Sequence, residues 1–275
     1  MKPYGVFSAN GTIYAAEMLA GIVAAFDMKA KDFYFIGSEK GPGKLSRPTG
    51  IAADKDGRVY VTDSGQNRVM VYEKGGRYLF SLGTAKQFGK PSGIAVNNQL
   101  GRIYITDQKN HKIYVFSKNN EYLFEIGKEG NKDGEFNAPT HIFVDSKNKL
   151  YVTDSLNFRI QILDSNGTFI SKFGQIGDGL GMFARPRGVA VDSEDNIYVV
   201  DAAFANVQIF DQKGNILLFF GGSGWEPGKL LFPAGISIDE EDKIYVADEF
   251  NKKINIYQYM GNKYKQSIQG KANQQ

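Results

Sequence analysis

The stretch PTHIFVDSKNKLYVTDSLNFRIQIL, residues 139–163, holds three short apolar runs at 142–144, 150–152 and 160–163. Asp145-Ser-Lys-Asn-Lys149 separates the first two, and Asp154-Ser-Leu-Asn-Phe-Arg159 the last two. Runs of three or four apolar residues are too short for helices. The Asp-, Asn- and Ser-bearing segments between them are turn formers. The stretch therefore reads as three successive strands joined by turns.

The same sentence recurs along the chain. An apolar-Tyr-apolar-x-acidic motif ends at residues 17, 63, 107, 154, 201 and 248, at intervals of 46, 44, 47, 47 and 47. A proline opens each unit at 3, 48, 91, 139, 186 and 233. Two independent markers keep one step, so six repeats fill the 275 residues as a single domain. The units run over about 3–47, 48–90, 91–138, 139–185, 186–232 and 233–270.

Each unit predicts four strands, a to d. In the fifth they fall at 188–191, 196–200, 206–210 and 215–220, with Asp192-Ser-Glu-Asp and Asp211-Gln-Lys-Gly as turns. Strand a is small and apolar on both faces, as an inner strand in a crowded centre must be. Strands c and d alternate and carry Lys and Gln. A four-stranded unit cannot cover its own faces, but six arranged radially bury them against one another. The prediction is an all-β fold, a six-bladed β-propeller with four antiparallel strands per blade. A stacked solenoid would need polar capping repeats, and the terminal units have none.

Every unit begins in register with strand a, and 263–269 is expected to be the last strand d. The ring then closes by packing of blade one on blade six, or the natural chain is longer upstream. Met1-Lys2-Pro3-Tyr4 has no apolar core of a signal peptide; a trimmed leader is the alternative. No apolar run approaches the ~20 residues of a membrane span, so no membrane insertion is expected.

Hydrophobic residues are 42% and charged residues 23%, which suits a full core and argues against disorder. The net charge of +3 supplies no field that would by itself attract nucleic acid. The absence of Cys removes disulfides, thiolate nucleophiles and thiolate metal sites.

The repeats resemble the NHL family, whose signature is a Pro-x-Gly-Ile-Ala-Val-Asp strand, a Tyr-Val-Thr-Asp strand and then x-x-Asn-x-Arg-Ile. Unit four carries Tyr151-Val-Thr-Asp154, Asn157 and Arg159-Ile160. Unit two carries Asp54, Tyr60-Val-Thr-Asp63 and Arg68-Val69, with Gln66 for Asn. Units three and six have Asn110 and Asn251 with Lys112 and Lys253 for Arg. Unit five has Phe204 for Asn and Asn206 for Arg, and unit one has Glu17 for Asp. The resemblance covers the whole chain and implies the propeller fold. It implies less about function, because the fold hosts many.

The acidic residue that ends strand b, with Asn three and Arg or Lys five residues on, reads as turn chemistry: a carboxylate accepting backbone N–H groups. Asp54, Asp145, Asp192 and Asp239, with Asn97, open the a–b turns in the same way. Carboxylates on separate blades do not converge to coordination distances, so no metal or other cofactor is expected.

In an antiparallel blade the d–a and b–c loops share one face, the top. Its longer loops are where binding is expected. Phe136, Phe183 and Leu230 in these loops read as plugs over the blade junctions. The remaining side chains divide. Units two and three offer Arg47, Arg68, Lys86, Lys90, Lys109, His111 and Lys112. Units four to six and one offer Leu156, Phe158, Phe204, Trp225, Phe232, Phe250 and Leu19. An apolar patch with a basic flank marks a partner site. At the channel mouth the residue after each proline is Tyr4, Thr49, Ser92, Thr140, Arg187 or Ala234. His141 stands where Gly usually follows, and with Arg185 and Arg187 it forms a candidate anion pocket.

No catalytic set is evident, and the two histidines, His111 and His141, cannot make an imidazole cage. The leading reading is a non-catalytic scaffold that binds a protein or peptide, with a glycan as alternative. Single-stranded RNA binding needs cations interleaved with aromatics, and here they lie on different blades. A metal-dependent hydrolase or lyase is the third reading. Bacterial NHL propellers also occur as exported modules, so the resemblance favours an extracytoplasmic location.

Overall fold

The computed structural model describes residues 2–37, 40–84 and 86–272. Blade one comprises β1 (Pro3–Ala9), β2 (Thr12–Glu17), β3 (Ile22–Asp27) and β4 (Asp32–Ile36). Blade two comprises β5 (Pro48–Ala53), β6 (Val59–Asp63), β7 (Arg68–Tyr72) and β8 (Tyr78–Leu82). Blade three has β9 (Pro91–Asn97), β10 (Arg102–Asp107), β11 (Lys112–Ser117) and β12 (Tyr122–Ile126). Blade four has β13 (Pro139–Val144), β14 (Leu150–Asp154), β15 (Arg159–Leu163) and β16 (Phe169–Phe173). Blade five has β17 (Pro186–Val191), β18 (Ile197–Asp201), β19 (Asn206–Phe210) and β20 (Ile216–Gly221). Blade six has β21 (Pro233–Ile238), β22 (Lys243–Asp248) and β23 (Lys253–Gln258). Within each blade the strands pair antiparallel in chain order.

The six-bladed propeller read from the repeat is the observed architecture, with one departure. Residues 263–269, expected as strand d of blade six, lie in α1 (Asn262–Ala272). The segment has no two-residue apolar alternation. Its apolar residues, Tyr264 and Ile268, fall four apart among Lys and Gln, a helical spacing filled with helix formers.

The core is divided among the blade junctions. Tyr14, Ile36 and Met70 belong to the cluster between blades one and two, and Phe173, Phe183 and Phe210 to that between four and five. Each of the first five junctions is plugged by one d–a loop residue: Leu45, Phe88, Phe136, Phe183 or Leu230, all buried. The last three are the expected plugs, and Leu45 and Phe88 extend the pattern. Among the described residues the sixth junction closes the ring without a blade shared between the two ends of the chain. Val6 and Ile13 meet Tyr245 and Ala247, and the Ser8 amide donates to Ser237 Oγ at 3.0 Å.

The innermost strands crowd the axis. A Cβ on Gly5 would stand 2.1 Å from the Thr49 carbonyl oxygen, and one on Gly93 would stand 2.7 Å from His141 Cα. Glycine at the third position of strand a is therefore what lets neighbouring blades approach. Blade four breaks the rule with His141.

Candidate functional site

The repeated acidic residues are held by the turns they close. Asp154 Oδ1 accepts the Asn137 amide at 2.7 Å, and its Oδ2 accepts Arg159 Nε at 2.7 Å and Asn157 Nδ2 at 2.9 Å. Arg159 also donates to the carbonyls of Asn131, Lys132 and Glu135, stapling the preceding loop. In unit two Gln66 does the work of Asn, donating to Asp63 and to the Lys44 carbonyl. Asp145 accepts the amides of Lys147 and Lys149 at 2.8 Å and the Tyr151 hydroxyl at 3.0 Å. Burial, then the Asp145 charge, pushes Tyr151 well above the phenolic range, so it remains a donor. Tyr60, Tyr198 and Tyr245 repeat this bond to Asp54, Asp192 and Asp239. These side chains are the scaffold's own fastening.

At the centre, strands a line a channel enclosing about 360 Å³. His141 and the glycine ring bound one end. Lys55, Asn98 and Glu240, exposed in the a–b turns, bound the other. The top is spanned by side chains. Tyr4 of blade one stacks on His141 of the opposite blade, and its hydroxyl accepts Arg187 Nη1 at 2.5 Å. His141 Nδ1 is shut from solvent and has no hydrogen-bond partner among the described residues. Burial, then the Arg187 guanidinium, lowers the imidazole to about 3, so it is neutral at physiological pH.

Around this bar cations and aromatic rings alternate. Arg187 Cζ lies 5.3 Å from the Tyr4 ring and 5.7 Å from Phe232, and Arg185 Cζ lies 5.3 Å from Phe232. Phe250 meets Phe232 edge-on at 5.4 Å, and Lys2 Nζ sits 5.5 Å from Phe250. Among the described residues none of Lys2, Arg185 and Arg187 has a carboxylate at ion-pair distance. The structure thus brings Arg185, Arg187, His141 and Phe250 together.

Of the expected apolar patch, Trp225 is 68% exposed, Leu156 57% and Phe250 48%, with Leu19 also open. Phe204 is half-buried. Phe158 corrects the expectation of an outward ring: it packs on the core between blades four and five. It sits at φ 54°, the left-handed position that Asn67, His111, Ala205, Lys252 and Gly21 occupy in the other blades. The basic flank is also partly structural. His111 Nδ1 accepts the Ala138 amide at 3.1 Å, and Lys112 pairs with Glu125 at 2.8 Å. Arg68 is half-exposed on blade two, away from the aromatic cluster.

On the top face, the exposed Ile176 and Leu180 in the loop before blade five were not among the candidates. Ile176 stands where the sibling loops place Glu129 and Ser223. That departure from the repeat was its only signal. Lys2 was also missed, since it precedes the first unit.

A family profile described as 6-bladed beta-propeller matches residues 81–150, 146–205 and 192–271, and an NHL repeat profile matches 45–72. The chain belongs to the 6-bladed beta-propeller family. This propeller is similar in fold to virginiamycin B lyase from Staphylococcus aureus, with 17% identity over 95% of this chain and 86% of that one, TM-score 0.67. It is similar to an auxiliary nutrient binding protein from Bacteroides thetaiotaomicron, with 15% identity over 92% and 68%, TM-score 0.72. A protein of unknown function from the same organism shares 20% identity over 94% and 69%, TM-score 0.69. At these identities the likeness is one of fold. No curated protein matches the chain.

Proposed function

We propose that the propeller is a non-catalytic binding module whose top face receives an apolar protein or peptide segment bearing an acidic group. One observation carries this reading. Among the described residues Arg185 and Arg187 lie against Phe232 without a carboxylate partner, the exposed Phe250 meets Phe232 edge-on, and the exposed Trp225 stands in the same top-face loop that ends at Phe232. An apolar surface flanked by unpaired guanidinium groups fits a ligand that supplies both apolar area and the missing anion. Lys2, Arg185 and Arg187 interleave with Tyr4, Phe232 and Phe250, which corrects the expectation that cations and aromatics lie on different blades. The RNA reading still ranks second, because His111 and Lys112 of the expected basic flank are engaged within the fold. A lyase reading is weaker too, because an imidazole at about 3 is a poor general base.

Selection from a displayed random peptide library tests this. Enriched sequences should combine aromatic or aliphatic residues with Asp, Glu or a free carboxyl terminus. They should lose at least tenfold in affinity on Trp225→Ser/Arg187→Gln. Failure to enrich any peptide, or equal binding to the variant, overturns the reading.

A further inference from the structure

Blade six lacks an outer strand among the described residues. β23 pairs with β22 from Asp248↔Lys253 to Lys243↔Gln258 and with no strand on its other side. In blades two to five the third strand is covered by a fourth and is largely buried. In β23, Ile256 is 53% exposed and the remaining side chains are half-exposed. The described residues beyond β23 do not fold back to cover this edge. Beyond β23 it turns to the Asp192 turn, where the Tyr259 hydroxyl and the Asn262 amide donate to Glu194 at 3.0 and 2.6 Å. The adjoining junction with blade one is correspondingly thin.

We propose that the β23 edge takes up an extended segment of another polypeptide by strand addition, completing blade six. An open edge offers unpaired N–H and C=O groups, and the pleat makes alternate side chains the specificity element. The sibling blades show which side chains the position accepts. Opposite the second residue of the third strand stand Ile36, Leu82, Ile126, Phe173 and Phe220. Two residues earlier stand Tyr34, Phe80, Phe124, Ser171 and Leu218. The counterparts in β23 are Ile254 and Ile256.

Charge narrows the occupant further. Lys253 occupies the repeat position of Lys112, which pairs with Glu125 of the neighbouring strand at 2.8 Å. Among the described residues Lys253 has no carboxylate at ion-pair distance. The segment that fits is therefore aromatic-x-aromatic-Glu-aliphatic, lying antiparallel to β23. The chain's own Tyr122-Leu-Phe-Glu-Ile126 has this chemistry.

A fluorescent synthetic peptide copying residues 119–128 is the probe, titrated against the full chain by anisotropy. Saturable 1:1 binding is expected, with slowed amide hydrogen exchange confined to 253–258. A Phe124→Pro peptide should not bind, because proline breaks the ladder. A Glu125→Lys peptide should bind about threefold more weakly to the wild type and recover on the Lys253→Glu protein, the scale of an exposed ion pair. Since Lys253 is at the surface, this exchange of charges also reads specificity without unfolding the blade. Absence of saturable binding, or binding without protection at 253–258, overturns the proposal. So does concentration-dependent dimerisation that protects the same amides, which would make a second copy the occupant.

Discussion

Tyr4 and His141 stack across the channel from opposite blades, ring centroids 6.2 Å apart and planes inclined by 28°. Arg187 ties the Tyr4 hydroxyl from a third blade. The one place where the inner strands carry a large residue instead of glycine is thus the place where the top of the channel is barred.

The bar carries a pH signature. The folded His141 titrates at about 3, below its unfolded value of about 6.5, so between these limits the unfolded chain binds the extra proton. Stability contributed by the neutral imidazole is complete above pH 6.5 and is lost as pH falls toward 3, at up to about 1.4 kcal/mol per pH unit. His141→Gly should flatten this limb. Urea unfolding of both proteins at pH 7, 5.5 and 4 reads the difference, and parallel acid slopes would contradict the assignment.

Ring closure rests on the inner glycines. Gly5→Ala drives a Cβ against the Thr49 carbonyl and should cost about 2–3 kcal/mol. Gly75→Ala, with open space around its Cβ, should stay within about 0.5 kcal/mol of wild type. Thermal melts of the pair compare axis with periphery. Equal melting temperatures would show that the inner strands have slack.

Phe158 and Leu156 are neighbours with opposite roles. Leu156→Ala should change stability by less than about 0.5 kcal/mol. Phe158→Ala removes a ring from the junction of blades four and five and should cost about 2 kcal/mol. Because the backbone is left-handed there, Phe158→Gly should be the more stable of the two Phe158 variants by about 1 kcal/mol, reversing the usual order. Denaturant midpoints measure all three.

Legibility followed the repeat. Strands read at 188–191 and 206–210 appear as Pro186–Val191 and Asn206–Phe210, because alternation and turn residues are local signals. The turn role of Asp154, Asn157 and Arg159 was legible for the same reason, since units two, three and six carry the same set with only Gln for Asn or Lys for Arg. Phe158 was misplaced because a side chain at an αL turn can point inward or outward, and the apolar cluster between blades four and five decides which. The last outer strand was expected by extending the pattern beyond its markers. Residues 263–269 carry neither the alternation nor the turn that strand d has elsewhere.

The sequence alone determined six blades and the turns that join the first three strands of each. Those features depend on contacts within one unit, and the unit is repeated. Tertiary structure decided which departures from the repeat meet. Tyr4 and Arg187 are 183 residues apart, and only closure of the ring sets them in hydrogen-bond contact beside His141. It also decided that, among the described residues, β23 stands at an open edge. An edge is the absence of a neighbour, and no local signal in the Lys253–Gln258 strand records which neighbour the chain supplies.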